Sequence, residues 1–175
     1  LKPARYLAIA GQGAPGGDRF TAGIGALYAM AFTIKMTRKF AGKQDYTVSR
    51  LEGQWFFAGD PAKVPPDQWQ WKLLIRTPDF IRPLDLKQAV ATLQKKGKAP
   101  EAKQVTIETL DEGTCVQMLH VGPYDREGET VEKMCAFAQE HGFRMVGPHH
   151  EIYVSDPRRV PPEKLKTILR QPVIA

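Results

Sequence analysis

The sequence predicts an α+β fold: a tandem duplication of one strand–helix–strand–strand unit, with pseudo-twofold symmetry and a central cleft where the copies meet. An internal repeat, a shared order of strand and helix patterns in the two halves, and an ordinary globular composition carry this expectation. Asp60-Pro61-Ala62-Lys63-Val64-Pro65-Pro66-Asp67 recurs as Asp156-Pro157-Arg158-Arg159-Val160-Pro161-Pro162-Glu163, at an offset of 96. Lys72-Leu73-Leu74-Ile75-Arg76-Thr77-Pro78 recurs as Lys166-Thr167-Ile168-Leu169-Arg170-Gln171-Pro172, at an offset of 94. Two blocks in one order with nearly one spacing are the signature of a repeated unit. The 175 residues suit a single domain, and a hydrophobic fraction of 42% is that of a chain with a packed core.

Each copy shows its unit in the same order. In the first, Arg5–Gly11 has strand character and Gly11–Gly17 forms a turn. Asp18 is placed as an N-cap, followed by Phe20, Ile24, Leu27, Ala31 and Ile34 at helical spacing. Tyr46–Phe57 carries β-formers, Asp60–Asp67 is a Pro-rich connection, and Trp69–Ile75 is a third strand. The second copy begins with strands over Val105–Val121, paired around Asp111-Glu112-Gly113. A helix over Glu129–His141 turns Val131, Met134, Cys135 and Ala138 to one side and ends at Gly142. Strands at His149–Val154 and Ile168–Ile174 flank a helical turn at Pro162–Leu165. Pro83 opens a linker helix with Leu86, Ala89, Val90 and Leu93 on one face, closed by Gly97. The expected division of this single domain is a first repeat over about 1–82, a linker helix over about 83–98 and a second repeat over about 99–175.

Composition excludes several function classes. No run reaches the roughly 18 apolar residues of a membrane span, and the N-terminus lacks a signal-peptide core. With only Cys115 and Cys135, a reduced, cytoplasmic chain is expected. Residues 1–98 hold 16 Lys+Arg and 7 Asp+Glu (+9) and residues 99–175 hold 9 and 12 (−3), which sums to the +6 of the whole. The cations are scattered singly apart from Lys95-Lys96-Gly97-Lys98 at a helix end, so direct nucleic-acid binding is not expected. Four histidines without acidic partners at ligand spacing predict no metal site. No cofactor is expected either: there is no phosphate-binding loop, and Gly11-Gln12-Gly13-Ala14-Pro15-Gly16 departs from a dinucleotide fingerprint at Pro15.

Chemistry is expected where the copies meet. Alternation along a strand puts His149, Glu151 and Tyr153 on one face, and likewise Gly53, Trp55 and Phe57. At the repeat offset Trp55 corresponds to Glu151 and Phe57 to Tyr153, so an indole and a carboxylate would face a shared groove. Glu151 has three readings: an exposed edge residue, a structural partner for a Lys or Arg, or a buried carboxylate in an aromatic cleft. In the third it would need a compensating cation and would have a raised pKa suited to a general base. Trp55, Trp69 and Trp71 are core residues or flat walls for aromatic and cationic ligands.

His149-His150-Glu151-Ile152-Tyr153-Val154-Ser155-Asp156-Pro157, Leu165–Pro172 and His120-Val121-Gly122-Pro123-Tyr124 together resemble the GyrI-like small-molecule-binding proteins, which are related to effector domains of multidrug-responsive transcription activators. Glu52-Gly53-Gln54-Trp55 and Trp71–Ile81 resemble the family's stand-alone members, and the resemblance spans nearly the whole chain. It implies a cleft for varied aromatic, often cationic compounds above an acidic residue, whose position matches Glu151. It also implies a second activity, since some stand-alone relatives hydrolyse the cyclopropane of DNA-alkylating natural products. No helix-turn-helix segment precedes the domain, so a one-chain transcription regulator is not expected. The expected partners are aromatic or lipophilic cationic small molecules, with Trp55, Trp71, Phe57, His120, Tyr124, His149, Glu151 and Tyr153 as the ligand-binding set. In a hydrolase, Glu151 would activate water and Tyr124 or Tyr153 would stabilise the product oxyanion. The alternative is a non-catalytic module whose cleft binds a protein partner such as a topoisomerase.

Overall fold

Leu7 and Ile9 of strand β1 (Ala4–Gln12) are buried beside an equally buried Tyr6 and Ala8, so this strand is covered on both faces. One face packs on helix α1 (Asp18–Phe40) together with β2 (Leu51–Phe56) and β3 (Gln70–Arg76). Leu27, Met30, Ala31 and Ile34 of α1 meet Leu7, Ile9, Leu73 and Ile75 there, the main core of the molecule. The other face holds a smaller cluster of Tyr6, Ala8 and Leu74. The computed structural model describes residues 1–57, 59 and 63–175, so the expected connection at Asp60, Pro61 and Ala62 lies outside the described residues.

Helix α2 (Pro83–Lys95) lies against α1, burying Ala89 and Leu93. Asp85 in its first turn accepts from the Arg82 backbone N–H at 2.8 Å and from Arg38 of α1 at 3.1 Å. Beyond it come β4 (Thr106–Leu110), β5 (Cys115–Val121), α3 (Glu127–Glu140), the two-residue β6 (Arg144–Met145), β7 (His149–Tyr153) and β8 (Lys166–Ile174). The result is α+β, with three α-helices among the described residues and a sheet paired antiparallel throughout. The strand order is β4-β1-β3-β2-β7-β8-β5, with β6 against β8. Without β4 this order is palindromic about the β2–β7 pairing. Gln54 and His150, equivalent at the offset of 96, are register partners at its centre.

Three local expectations are corrected. Asp18 does not cap α1: the N-cap is Gly17, with no side-chain cap, and Asp18 is the first helical residue, where a carboxylate suits the positive end of the dipole. The strand expected from Tyr46 begins only at Leu51, because Tyr46 and Val48 instead pack partly buried against the α1 core. The pairing expected around Asp111-Glu112-Gly113 does not form. β4 pairs with β1 at one end of the sheet, and β5 pairs with β8 at the other.

That correction has a geometric consequence. In a flat sheet, six strand spacings of about 4.8 Å would separate β4 from β5 by about 29 Å. The five residue steps from Leu110 to Cys115 reach at most about 18 Å. The sheet must therefore curl so that its edges approach, with the 111–114 connection crossing the face opposite the helices.

Candidate functional site

β2 and β7 lie side by side, with Gly53 opposite Glu151 and Trp55 opposite His149. Cross-strand partners share a face, so Gly53, Trp55, His149, Glu151 and Tyr153 all point to the helix-bearing side. Thr167 of β8, opposite Tyr153, joins them. α1 packs on the β1–β3 side and α3 on the β5–β8 side, leaving β2 and β7 as the floor between the two helices.

The absence of a side chain at Gly53 shapes that floor. A Cβ there would lie 2.9 Å from the Tyr153 hydroxyl oxygen, so the phenol occupies the space any other residue would take. Tyr124, 40% exposed on the short 3₁₀ turn before α3, meets the Tyr153 ring edge-to-face at 6.1 Å. On the opposite side Trp55 stacks on Phe20 of α1 at 5.5 Å and meets Trp69 edge-on at 5.8 Å. Phe57 extends this wall, edge-to-face with Trp69 at 5.1 Å. Trp71, edge-on to Phe20 and flush against Gly11 and Gly23, is buried, and it and the similarly buried Trp55 both belong to the α1 core.

Glu151 sits among these rings, its side chain only 12% exposed and its Oε1 3.6 Å from His149 Nε2. Burial raises its pKa, opposed by the Tyr153 hydroxyl and the Trp55 indole N–H that face it. The reading of Glu151 as a surface carboxylate is thereby excluded. Burial pushes the His149 ring down to about 4, so it is neutral near pH 7. Burial and the Glu151 charge hold the Tyr153 phenol well above its ordinary 10. His120 is tied into its own half: Nδ1 pairs with Thr130 Oγ1 of α3 at 2.9 Å and Nε2 with the Pro123 carbonyl at 3.1 Å.

The structure adds Glu127, the first residue of α3. It is 8% exposed, and burial together with the neighbouring Glu151 carboxylate pushes its pKa up to about 8. Ligand atoms of Glu127, His149 and Glu151 lie within 4.8 Å of one another, a set that could hold a metal ion. An acid in the first turn of a helix is so common, being favoured by the dipole, that nothing in the sequence separated Glu127 from its neighbours.

On the far face lies a second acidic cluster. Glu112 of the crossing connection accepts from His150 Nδ1 at 2.7 Å and from Arg170 Nη1 at 2.9 Å, and His150 Nε2 lies 3.0 Å from Glu52.

The GyrI-like small molecule binding domain model matches residues 80–174. No curated protein matches the chain in sequence. Among solved structures, an uncharacterized conserved protein from Listeria innocua is 38% identical with a TM-score of 0.92, the match covering 99% of this chain and 89% of that one. A hydrolase from Listeria innocua is 36% identical with a TM-score of 0.89 over the same shares. The EcmrR C-terminal domain, 9% identical over 99% of this chain and 93% of its own with a TM-score of 0.59, shares the fold. No helix among the described residues is long and apolar enough to cross a membrane. With more than half its length matched by the domain model and near-complete overlap with relatives of this identity, the chain belongs to the GyrI-like small-molecule-binding family.

Proposed function

We propose that the groove between α1 and α3 binds aromatic and amphipathic small molecules, preferentially cations, and that it hydrolyses strained cyclopropane-bearing alkylating compounds as a second activity. The observation that carries this reading is a largely buried carboxylate, Glu151, enclosed by Trp55, Tyr153 and Tyr124. Flat rings offer stacking and cation–π contact, and a carboxylate removed from water favours a cation that replaces its lost hydration. The palindromic strand order supports treating the chain as two copies with this groove at their junction. Two free thiols, Cys115 and Cys135, fit a reducing cytoplasmic setting.

For hydrolysis, Glu151 takes a proton from water as the water oxygen bonds to the less hindered cyclopropane carbon. The ring C–C bond breaks, and its electron pair moves through the conjugated system to the carbonyl oxygen. Tyr124 or Tyr153 donates a hydrogen bond to the resulting phenolate, which then takes a proton. A raised carboxyl pKa brings the base closer to that of its task. The 36% identical hydrolase supports hydrolysis as the class of reaction. The test is Glu151→Gln, which keeps volume and removes charge. Binding of cationic dyes, followed by tryptophan fluorescence, should weaken while neutral aromatics of similar shape are unaffected. Turnover of a neutral cyclopropane substrate should fall by about 10²–10⁴-fold with its binding intact. Unchanged cation affinity and unchanged turnover together would refute the reading.

A further inference from the structure

We propose that Glu127 makes this groove selective for cations that carry N–H donors, such as amidinium, guanidinium and protonated amines, over onium ions that carry none. The inference rests on the groove binding aromatic cations, and adds to it the kind of cation.

Its basis is a buried acceptor without a donor. Glu127 is 8% exposed, and its Oε1 is buried without a hydrogen-bond partner. A buried carboxyl oxygen left unpaired is costly, and whatever enters the groove and supplies the missing donor recovers that cost. Glu151 is faced by the Tyr153 hydroxyl, the Trp55 N–H and Glu127 itself, whereas Glu127 is faced by the Thr167 hydroxyl and Glu151, and neither of these bonds its Oε1. The orphaned acceptor is therefore on α3, and a ligand oxygen of Glu127 lies within 4.8 Å of one of Glu151. A planar amidinium presents two N–H groups on a short fork, and such a fork can address both carboxyl groups while its aromatic ring lies along Trp55 and Tyr153. A quaternary ammonium or phosphonium ion meets the charge of the pair, but leaves Glu127 Oε1 without a donor.

A divalent metal is the competing occupant of Glu127, His149 and Glu151. Two features favour the organic cation. The Tyr153 hydroxyl and the Trp55 N–H face Glu151, and the surrounding walls are aromatic. A three-ligand metal site needs water or another oxygen donor to complete its shell.

Three biphenyl probes test the proposal on the purified full chain by calorimetry and tryptophan fluorescence: 4-phenylbenzamidine, biphenyl-4-yltrimethylammonium and neutral 4-phenylbenzamide. The amidine should bind about tenfold or more tightly than the trimethylammonium compound, the size of one charge-assisted hydrogen bond. Glu127→Gln should remove most of that ratio and leave the donor-free cation's affinity within about twofold. The wild-type ratio needs no variant, so it decides even if Glu127→Gln fails to fold. Equal binding of the two cations overturns the donor selectivity while the cation-binding reading stands. Failure of both cations to bind, or binding no better than the neutral amide, overturns that reading and the inference with it. Micromolar Zn²⁺ that displaces the amidine, and that no longer binds after Glu127→Gln or His149→Ala, also overturns the inference, by making the cluster a metal site.

Discussion

Glu112→Ala should destabilise the whole domain, although residue 112 lies in a four-residue connection far from the groove. The Glu112 side chain is 5% exposed and holds two charged donors, His150 at 2.7 Å and Arg170 at 2.9 Å. His150 is fully buried, with Glu52 on its other side. Removing Glu112 leaves the imidazole and the guanidinium without their shared acceptor. Breaking a buried ion pair from one side costs about 3–5 kcal/mol, and two charge-assisted hydrogen bonds at about 1.5–3 kcal/mol each give a similar sum. For a chain of this length each kcal/mol lowers the melting temperature by about 2–4 °C, so a fall of roughly 6–20 °C is expected. The effect should depend on pH. Burial works to raise the Glu112 carboxyl, but His150 and Arg170 hold it below its ordinary 4.5, so its contribution is present above that value and lost in acid. Burial works to lower the His150 ring, but Glu112 and Glu52 hold it above its ordinary 6.5, so its contribution is full below 6.5 and lost as the pH rises through the raised value. The gap between wild type and variant should therefore be widest between pH 4.5 and 6.5. Urea melts from well below pH 4.5 to well above pH 6.5, followed by circular dichroism and fluorescence, measure it. A loss under about 1 kcal/mol, or a gap that does not change with pH, would refute the view that this cluster pins the crossing connection.

Two further predictions concern the groove. Gly53→Ala places a methyl 2.9 Å from the Tyr153 hydroxyl oxygen, so the ring must move; affinity for a panel of aromatic dyes should drop together, several-fold, with the far-UV spectrum unchanged. Retained affinity would show that Tyr153 does not shape the groove. Because burial and Glu151 hold Glu127 up to about 8, affinity for a permanently charged amidine should rise with pH through that value, while a neutral analogue's stays flat. A flat profile for the amidine would show that Glu127 does not face the ligand.

Much of the fold was legible in the chain because its signals are local. The stripe Phe20, Leu27, Ala31 and Ile34 names a buried helix face by spacing alone, and Pro83 with Gly97 brackets the second helix. Strict alternation assigned His149, Glu151 and Tyr153 to one face, and Gly53 with Trp55 to another, without coordinates. Antiparallel registry then made these one face, with Gly53 opposite Glu151. Strand pairing was not legible in the same way. Thr106–Leu110 and Cys115–Val121 flank a turn-like Asp-Glu-Gly and look like a hairpin, yet β1 and β8 claim them at opposite edges of a curled sheet. A strand pattern states which residues face inward; which neighbour supplies the hydrogen bonds depends on edges left free by the rest of the chain. The same limit hid Glu127 and the Glu112–His150–Arg170 cluster. Each acid is unremarkable in its own segment, and only burial against residues distant in sequence turns it into a perturbed carboxyl. The sequence by itself determined the elements, their inward faces and the aromatic and acidic residues of β2 and β7. Tertiary structure alone decided which carboxylates lose their water and which partners they meet, because desolvation and charge pairing depend on distance in space.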